Sequence, residues 1–196
     1  MTRSLMALAG AMAAVAACGH GGDPPARAVP SEDWLRAPAV DSSLAVPKDG
    51  NRVLAHAQAN GTQNYACSPA AADAGTSYAW TLTGPEAALA GAGGTPMGKH
   101  FASSAGAAAP EWQTPDGTYV VARKVAAFTP PSAAGSVPWL LLRADGHGGA
   151  GTLGQAQYIQ RVNTHGGVAP AAGCDASHAG ATQKVPYTAD YYFFGS

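Results

Sequence analysis

The sequence predicts an all-β domain: a single antiparallel β-sandwich or barrel with long Gly/Ala-rich loops. Three observations carry this. Several segments alternate inward and outward residue types with the period of two that a pleated strand requires. Turn residues bound these segments at short intervals. No long stretch shows a capped 3.6-residue period, and 25 Gly and 15 Pro among 196 residues recur too often to leave room for one.

The elements follow in chain order. Arg52 to Ala59 alternates, with Val53, Ala55, Ala57 and Ala59 on one face. Asn60-Gly61 is a strong hairpin signal, so Thr62 to Cys67 is expected to return as its partner. Ser77 to Thr83 places Tyr78, Trp80 and Leu82 on one face, and Gly84-Pro85 is expected to end it. Glu111 to Thr114, the turn Pro115-Asp116-Gly117, and Thr118 to Phe128 predict a second hairpin. Trp139 to Leu142 is apolar on both faces and suits a central strand. Gln155 to Asn163 alternates again, and Tyr187 to Phe194 reads as a closing strand. The segments 70–75, 91–109, 130–135, 146–154 and 166–180 read as loops.

Composition refines the packing. Hydrophobic residues make up 46% of the chain, but 45 of them are Ala. Ala-rich strand faces need bulky neighbours, for which Trp80, Trp112, Trp139 and the Tyr/Phe cluster are the available fillers. Eleven Lys+Arg are offset by twelve Asp+Glu with no basic run, which argues against a nucleic-acid surface.

The N-terminus predicts export. Met1 to Ser4 is a short positive stretch, and Leu5 to Ala17 is an apolar run of signal-peptide length. It ends in Val15-Ala16-Ala17-Cys18, which resembles the lipobox of bacterial lipoproteins. That resemblance implies a signal over residues 1–17, a diacylglycerol on Cys18, and stable membrane attachment through several acyl chains. Gly19 after the cysteine points, by the same resemblance, to the outer membrane facing the periplasm. Residues 18–45 read as a Pro-rich flexible tether, with a capped turn at Ser31 to Leu35 and Trp34 and Leu35 as residues able to dock on the β domain of residues 46–196. With Cys18 lipidated, Cys67 and Cys174 remain. In an oxidising compartment two such thiols are expected to pair as a structural disulfide.

The runs VPKDGNRVLAHAQANGTQNYACSP, MGKHFASSAG, PEWQTPDGTYVVARKVA, YIQRVNTHGG, AGCDAS and VPYTADYYFF together resemble an uncharacterised domain-of-unknown-function family of secreted bacterial and fungal proteins. The likeness spans about residues 46–195. Cys67 and Cys174 fall on the family's two cysteine positions. The resemblance implies secretion and one β domain and transfers no catalytic residue or cofactor.

Some fungal members of that family carry a malate dehydrogenase label, which the residues here do not support. Gly149 to Gly154 spells G-x-G-x-x-G, but a dinucleotide site needs the loop to open a helix, and QAQYIQRVNT alternates as a strand. The remaining candidates are loop residues. His100, His147 and His165, with Asp145, would hold a metal only if their loops converged; no local ligand spacing supports this, so no metal is assigned. Glu111 and Asp116 offer paired carboxylates for glycan chemistry, and Trp112 offers a stacking platform. Asp190 is expected in a polar network with its flanking tyrosines or Arg161. The leading functional expectation is a non-catalytic binding or envelope-interaction module, its site drawn from His100, Trp112, Asp145, His147 and His165, with a glycan or envelope component as partner. The alternatives are an enzyme using the loop His, Asp or Glu residues, and a purely structural envelope protein.

Overall fold

The computed structural model describes residues 31–49, 51–70, 77–104 and 109–196. The signal segment, Cys18 and the tether up to residue 30 lie outside the described residues. Eight strands form within them: β1 (Arg52–Pro69), β2 (Tyr78–Ala90), β3 (Pro96–Ala102), β4 (Pro110–Gln113), β5 (Tyr119–Phe128), β6 (Trp139–Gly148), β7 (Tyr158–Gly166) and β8 (Thr182–Gly195). Each pairs antiparallel with the one before it, and β8 pairs with β1 to close a barrel. The expected all-β fold therefore takes the barrel form, in which closure leaves no free sheet edge.

Inward positions explain the alanines. Ala55, Ala57 and Ala59 of β1 lie in register with Phe193, Tyr191 and Ala189 of β8. They join one buried cluster with Trp112, Val120, Leu142 and Ile159. Rings from β4 and β8 fill the space that the small β1 face leaves, each buried apolar side chain contributing about 1.5–3 kcal/mol. Of the expected fillers, Trp112 and the β8 rings Tyr187, Tyr191 and Phe193 are in this core. Trp139 packs in a second cluster, and Trp80 lies at the barrel rim, where its indole N–H donates to the Ala172 carbonyl at 2.9 Å.

Among the departures from the expected strands, three shape the barrel. Asn60-Gly61 is not a turn: β1 runs straight through it, paired with β8 on one side and β2 on the other. Two flanking ladders override a local turn preference, and Gly61 is needed there because a β-carbon would collide with the Glu86 carbonyl and Ala87. Gly84-Pro85 does not end β2, which passes it at an irregularity facing Asn64 and Tyr65. The expected loop 91–109 contains β3, which pairs with β2 and β4.

One end of the barrel is plugged. The Gly149–Gly154 run does not open an α-helix; it leads into a 3₁₀ turn, Thr152–Gln155, that places Leu153 fully buried in the core cluster. A β-carbon at Gly149 or Gly151 would press on Thr118, and one at Gly154 would strike the Gly149 carbonyl. These glycines therefore serve close packing within the segment expected as a loop.

The outer face of β7 and β8 is apolar where Val162, Tyr192 and Phe194 form the second cluster. Residues 31–48 cover it. Their expected capped turn forms, with the Trp34 N–H donating to the Ser31 carbonyl at 3.0 Å. Trp34 stacks on His56 at 4.1 Å, and His56 stacks on Tyr192 at 4.1 Å. His56 is thus buried between two rings. Its Nδ1 lies 2.9 Å from the Trp34 carbonyl oxygen. Leu44 is fully buried, and its carbonyl accepts from Gln160 Nε2 at 2.8 Å. This part of the expected tether is a docked strap, because the apolar β7–β8 face gains by being covered.

Away from the strap the exterior carries exposed Arg123–Asp145 and Lys184–Glu86 pairs at 2.9 and 2.6 Å, alongside exposed Val125 and Phe128. No helix among the described residues is long and apolar enough to cross a membrane.

Candidate functional site

The barrel end opposite the Leu153 plug is open. It carries the C-terminal halves of β1, β3, β5 and β7 and the starts of the strands that follow them. A cavity of about 410 Å³ opens there. His100, Trp112 and Tyr191 form its floor, and Leu82, Lys124 and Arg161 stand nearer its rim.

The floor is built by strand pairing. His100 of β3 and Trp112 of β4 are direct register partners. Their rings stack at 4.3 Å with an interplanar angle of 6°. Tyr191 meets both edge-on, at 5.0 Å from His100 and 5.2 Å from Trp112. All three are almost completely buried. Edge-to-face and offset contacts of this kind add about 0.5–1.5 kcal/mol per pair beyond area burial.

His100 is neutral. Burial pushes its pKa down to about 3, helped by the charge of Arg161 and opposed by the bond from its ring to the Glu111 carbonyl. That carbonyl can only accept, so Nδ1, 2.8 Å away, carries the hydrogen, and Nε2 keeps a free lone pair. Burial also raises the Tyr191 hydroxyl, with Arg161 and Tyr187 acting in the opposite direction. Tyr65 is likewise raised by burial and lowered by Arg161. Trp112 Nε1 and Gln63 Nε2 are buried with no partner in hydrogen-bond geometry. Native interiors rarely leave such donors unmade.

The lip is tied down by main-chain and side-chain bonds. Arg161 donates from Nε and Nη2 to the Pro138 carbonyl at 3.1 and 2.8 Å. Thr164 Oγ1 donates to the Val137 carbonyl at 2.6 Å, and Tyr65 donates to the Gly167 carbonyl at 2.6 Å. The Cys67–Cys174 disulfide, spanning 107 positions, fastens the β7–β8 loop to the end of β1 on the same side. The expected pairing of these two cysteines is met. Just beyond it, the Asp175 carboxyl is held down at about 2 by the Ser177 hydroxyl and His178.

The sequence-selected residues divide. His100 and Trp112 come together at the cavity floor. Asp145 does not join them; it is exposed and paired with Arg123. His147 and His165 are exposed on β6 and β7, so the three histidines do not converge, and no cluster of three or more metal-ligating side chains occurs among the described residues. Glu111 neighbours Trp112 in β4, and alternation puts its side chain on the opposite face. Asp116 serves its own turn, accepting from Thr114 Oγ1 at 2.6 Å and the Thr118 N–H at 3.0 Å. Asp190 and Arg161 do not pair. Asp190 lies outside, accepting from Asn163 Nδ2 at 2.7 Å and facing His56 Nε2 at 3.3 Å, while Arg161 lines the cavity. Its carboxyl is pushed up by burial, but His56 and Asn163 outweigh this and hold it low.

Sequence reasoning missed Lys124, Tyr191 and Arg161 as site residues. The available signal was alternation in β7, which puts Arg161 on the same face as the core residue Ile159. A cation on a core-facing position marks a site or a tether, and here it lines the one and braces the other.

No curated protein and no solved structure matches this chain. A family model does match, over residues 47–195 and hence the whole barrel. The chain belongs to the family described as protein of unknown function DUF3455.

Proposed function

We propose that this protein is a lipid-anchored envelope protein of the periplasmic side, and that its barrel binds a small, largely apolar molecule through the open end. The observation that carries the binding reading is the cavity of about 410 Å³, floored by His100, Trp112 and Tyr191. Its size lies in the range of small-molecule sites, and apolar walls with a few polar groups are the usual composition of such sites. The anchoring reading rests on the apolar run and Cys18 of the N-terminal sequence, and an oxidised Cys67–Cys174 pair suits an oxidising compartment. The strap places the chain's N-terminal side on the outer wall of β7 and β8, clear of the open end.

The test uses a neutral fluorescent probe, N-phenyl-1-naphthylamine. It is expected to brighten on binding the wild type and to stay dark with Leu140→Trp, which fills the cavity from its wall. Bright signal retained by Leu140→Trp overturns the reading and assigns the probe to the groove between Val40, Val46 and Phe194 under the strap. Intact mass of membrane-extracted protein tests the anchor: cleavage before Cys18 plus acyl mass supports it, and an unprocessed Met1 overturns it.

A further inference from the structure

The cavity carries an imbalance of charge. Lys124 and Arg161 line it, and no Asp or Glu does. Neither cation takes part in an ion pair among the described residues, where the five pairs involve other groups. Arg161 spends two N–H groups on one neutral carbonyl, that of Pro138, so its positive charge stays uncompensated. The charge reaches into the cavity: it acts on His100, Tyr65, Tyr187 and Tyr191. The buried polar atoms without partners at this end include two more donors, Gln63 Nε2 and Trp112 Nε1. The floor and walls, by contrast, are ring faces and aliphatic carbon.

An unpaired, partly desolvated cation is costly unless something neutralises it. Arg161 is replaceable as a brace: any donor would hold the Pro138 carbonyl, and a neutral one would do so at less cost. A guanidinium at that position has a further use if the occupant is negative, because its planar fork suits a carboxylate. Lys124 stands exposed nearer the rim, where it would guide an anion to the mouth.

We propose that the occupant is a small organic anion with an apolar body, namely a single-chain or single-ring carboxylate whose carbon skeleton rests on His100, Trp112 and Leu142 and whose head group meets Arg161 and Lys124. A two-chain lipid does not fit the volume. The proposal rests on the binding reading above and names the ligand class for that same cavity. His100 supports it from below: held neutral, it offers an aromatic face to the apolar body and adds no second buried charge.

The experiment compares octanoate with octan-1-ol, matched in chain and differing in charge, by isothermal titration calorimetry on the oxidised protein at neutral pH. Octanoate is expected to bind at least about fivefold more tightly, the margin that one or two partly exposed charge pairs supply. Raising the salt should narrow the margin. Lys124→Glu is expected to abolish the preference of octanoate over octan-1-ol. Lys124 is exposed and makes no ion pair among the described residues, so this variant keeps the fold; a circular dichroism spectrum and melting temperature matching the wild type verify it. Equal affinities for acid and alcohol, or an undiminished preference in Lys124→Glu, overturn the anion assignment and leave the apolar site standing. Binding of neither compound overturns both.

Discussion

Acidification to pH 5 should destabilise this domain through His100, and the size of the effect follows from its burial. An unfolded histidine titrates near 6.5, with one pH unit worth 1.36 kcal/mol. In the folded chain His100 is pushed down to about 3, by burial first and the Arg161 charge besides, against the Glu111 carbonyl. Below pH 6.5 the unfolded chain therefore takes up a proton that the folded state refuses, and stability falls with pH. The contribution is intact above pH 6.5 and is lost progressively toward pH 3. Between pH 8 and pH 5 the loss is about 2 kcal/mol, a sizeable part of a total that is only about 5–15 kcal/mol. With a urea m-value of about 2 kcal/mol/M, the midpoint should drop by about 1 M. Carboxyls held low, Asp190 and Asp175 among them, lose their contribution below their ordinary range near pH 4, outside this window. The control is His100→Phe, which keeps a ring against Trp112 and cannot titrate. Urea unfolding followed by fluorescence at pH 8, 7, 6 and 5 should show the pH 8 to 5 loss shrinking by about 2 kcal/mol in the variant. Equal losses in wild type and variant would refute the buried, neutral assignment of His100.

Two further outcomes test the frame of the site. Cys67→Ser with Cys174→Ser opens a loop of 107 positions; the chain-entropy model puts the cost at about 4.7 kcal/mol, measurable by comparing urea midpoints with those of the oxidised parent, and faster hydrogen exchange should be confined first to the β7–β8 loop. Leu153→Ala removes the fully buried side chain of the plug and should cost about 2–5 kcal/mol; a loss under 1 kcal/mol in thermal or urea unfolding would show that the glycine run does not close the barrel.

Much of this fold is legible in single strands, and much less of it between them. The alternation of Val53 to Ala59 correctly marks β1, because its small face is buried and the period of two survives, while β8 is marked by its aromatic run, Tyr187 to Phe194, whose second half is buried on both faces. The Asn60-Gly61 turn signal misleads because it is a local preference of the backbone, and two neighbouring ladders outweigh it. β3 is hidden for another reason: Pro96 to Ala102 contains a glycine and carries a histidine, not an aliphatic residue, as its buried member. His100 and Trp112 are selectable by chemistry alone, but their stacking depends on β3 and β4 being adjacent and in register, which no single segment reveals. His147, His165 and Asp145 share that chemistry and fall on exposed positions. Arg161 shows the converse. Its inward direction follows from its distance to Ile159, yet its role depends on the absence of any carboxylate around the cavity, a property of eight strands together.

The most direct measurement is a nuclear Overhauser spectrum of the oxidised protein with octan-1-ol, whose neutrality separates occupancy of the cavity from the question of charge. Contacts from the octanol chain to the Leu140 and Leu142 methyls and to the ring protons of Trp112 are the expected result. Contacts confined to Val40, Val46 and Phe194 beneath the strap, or none at all, would contradict the placement of the binding site inside the barrel.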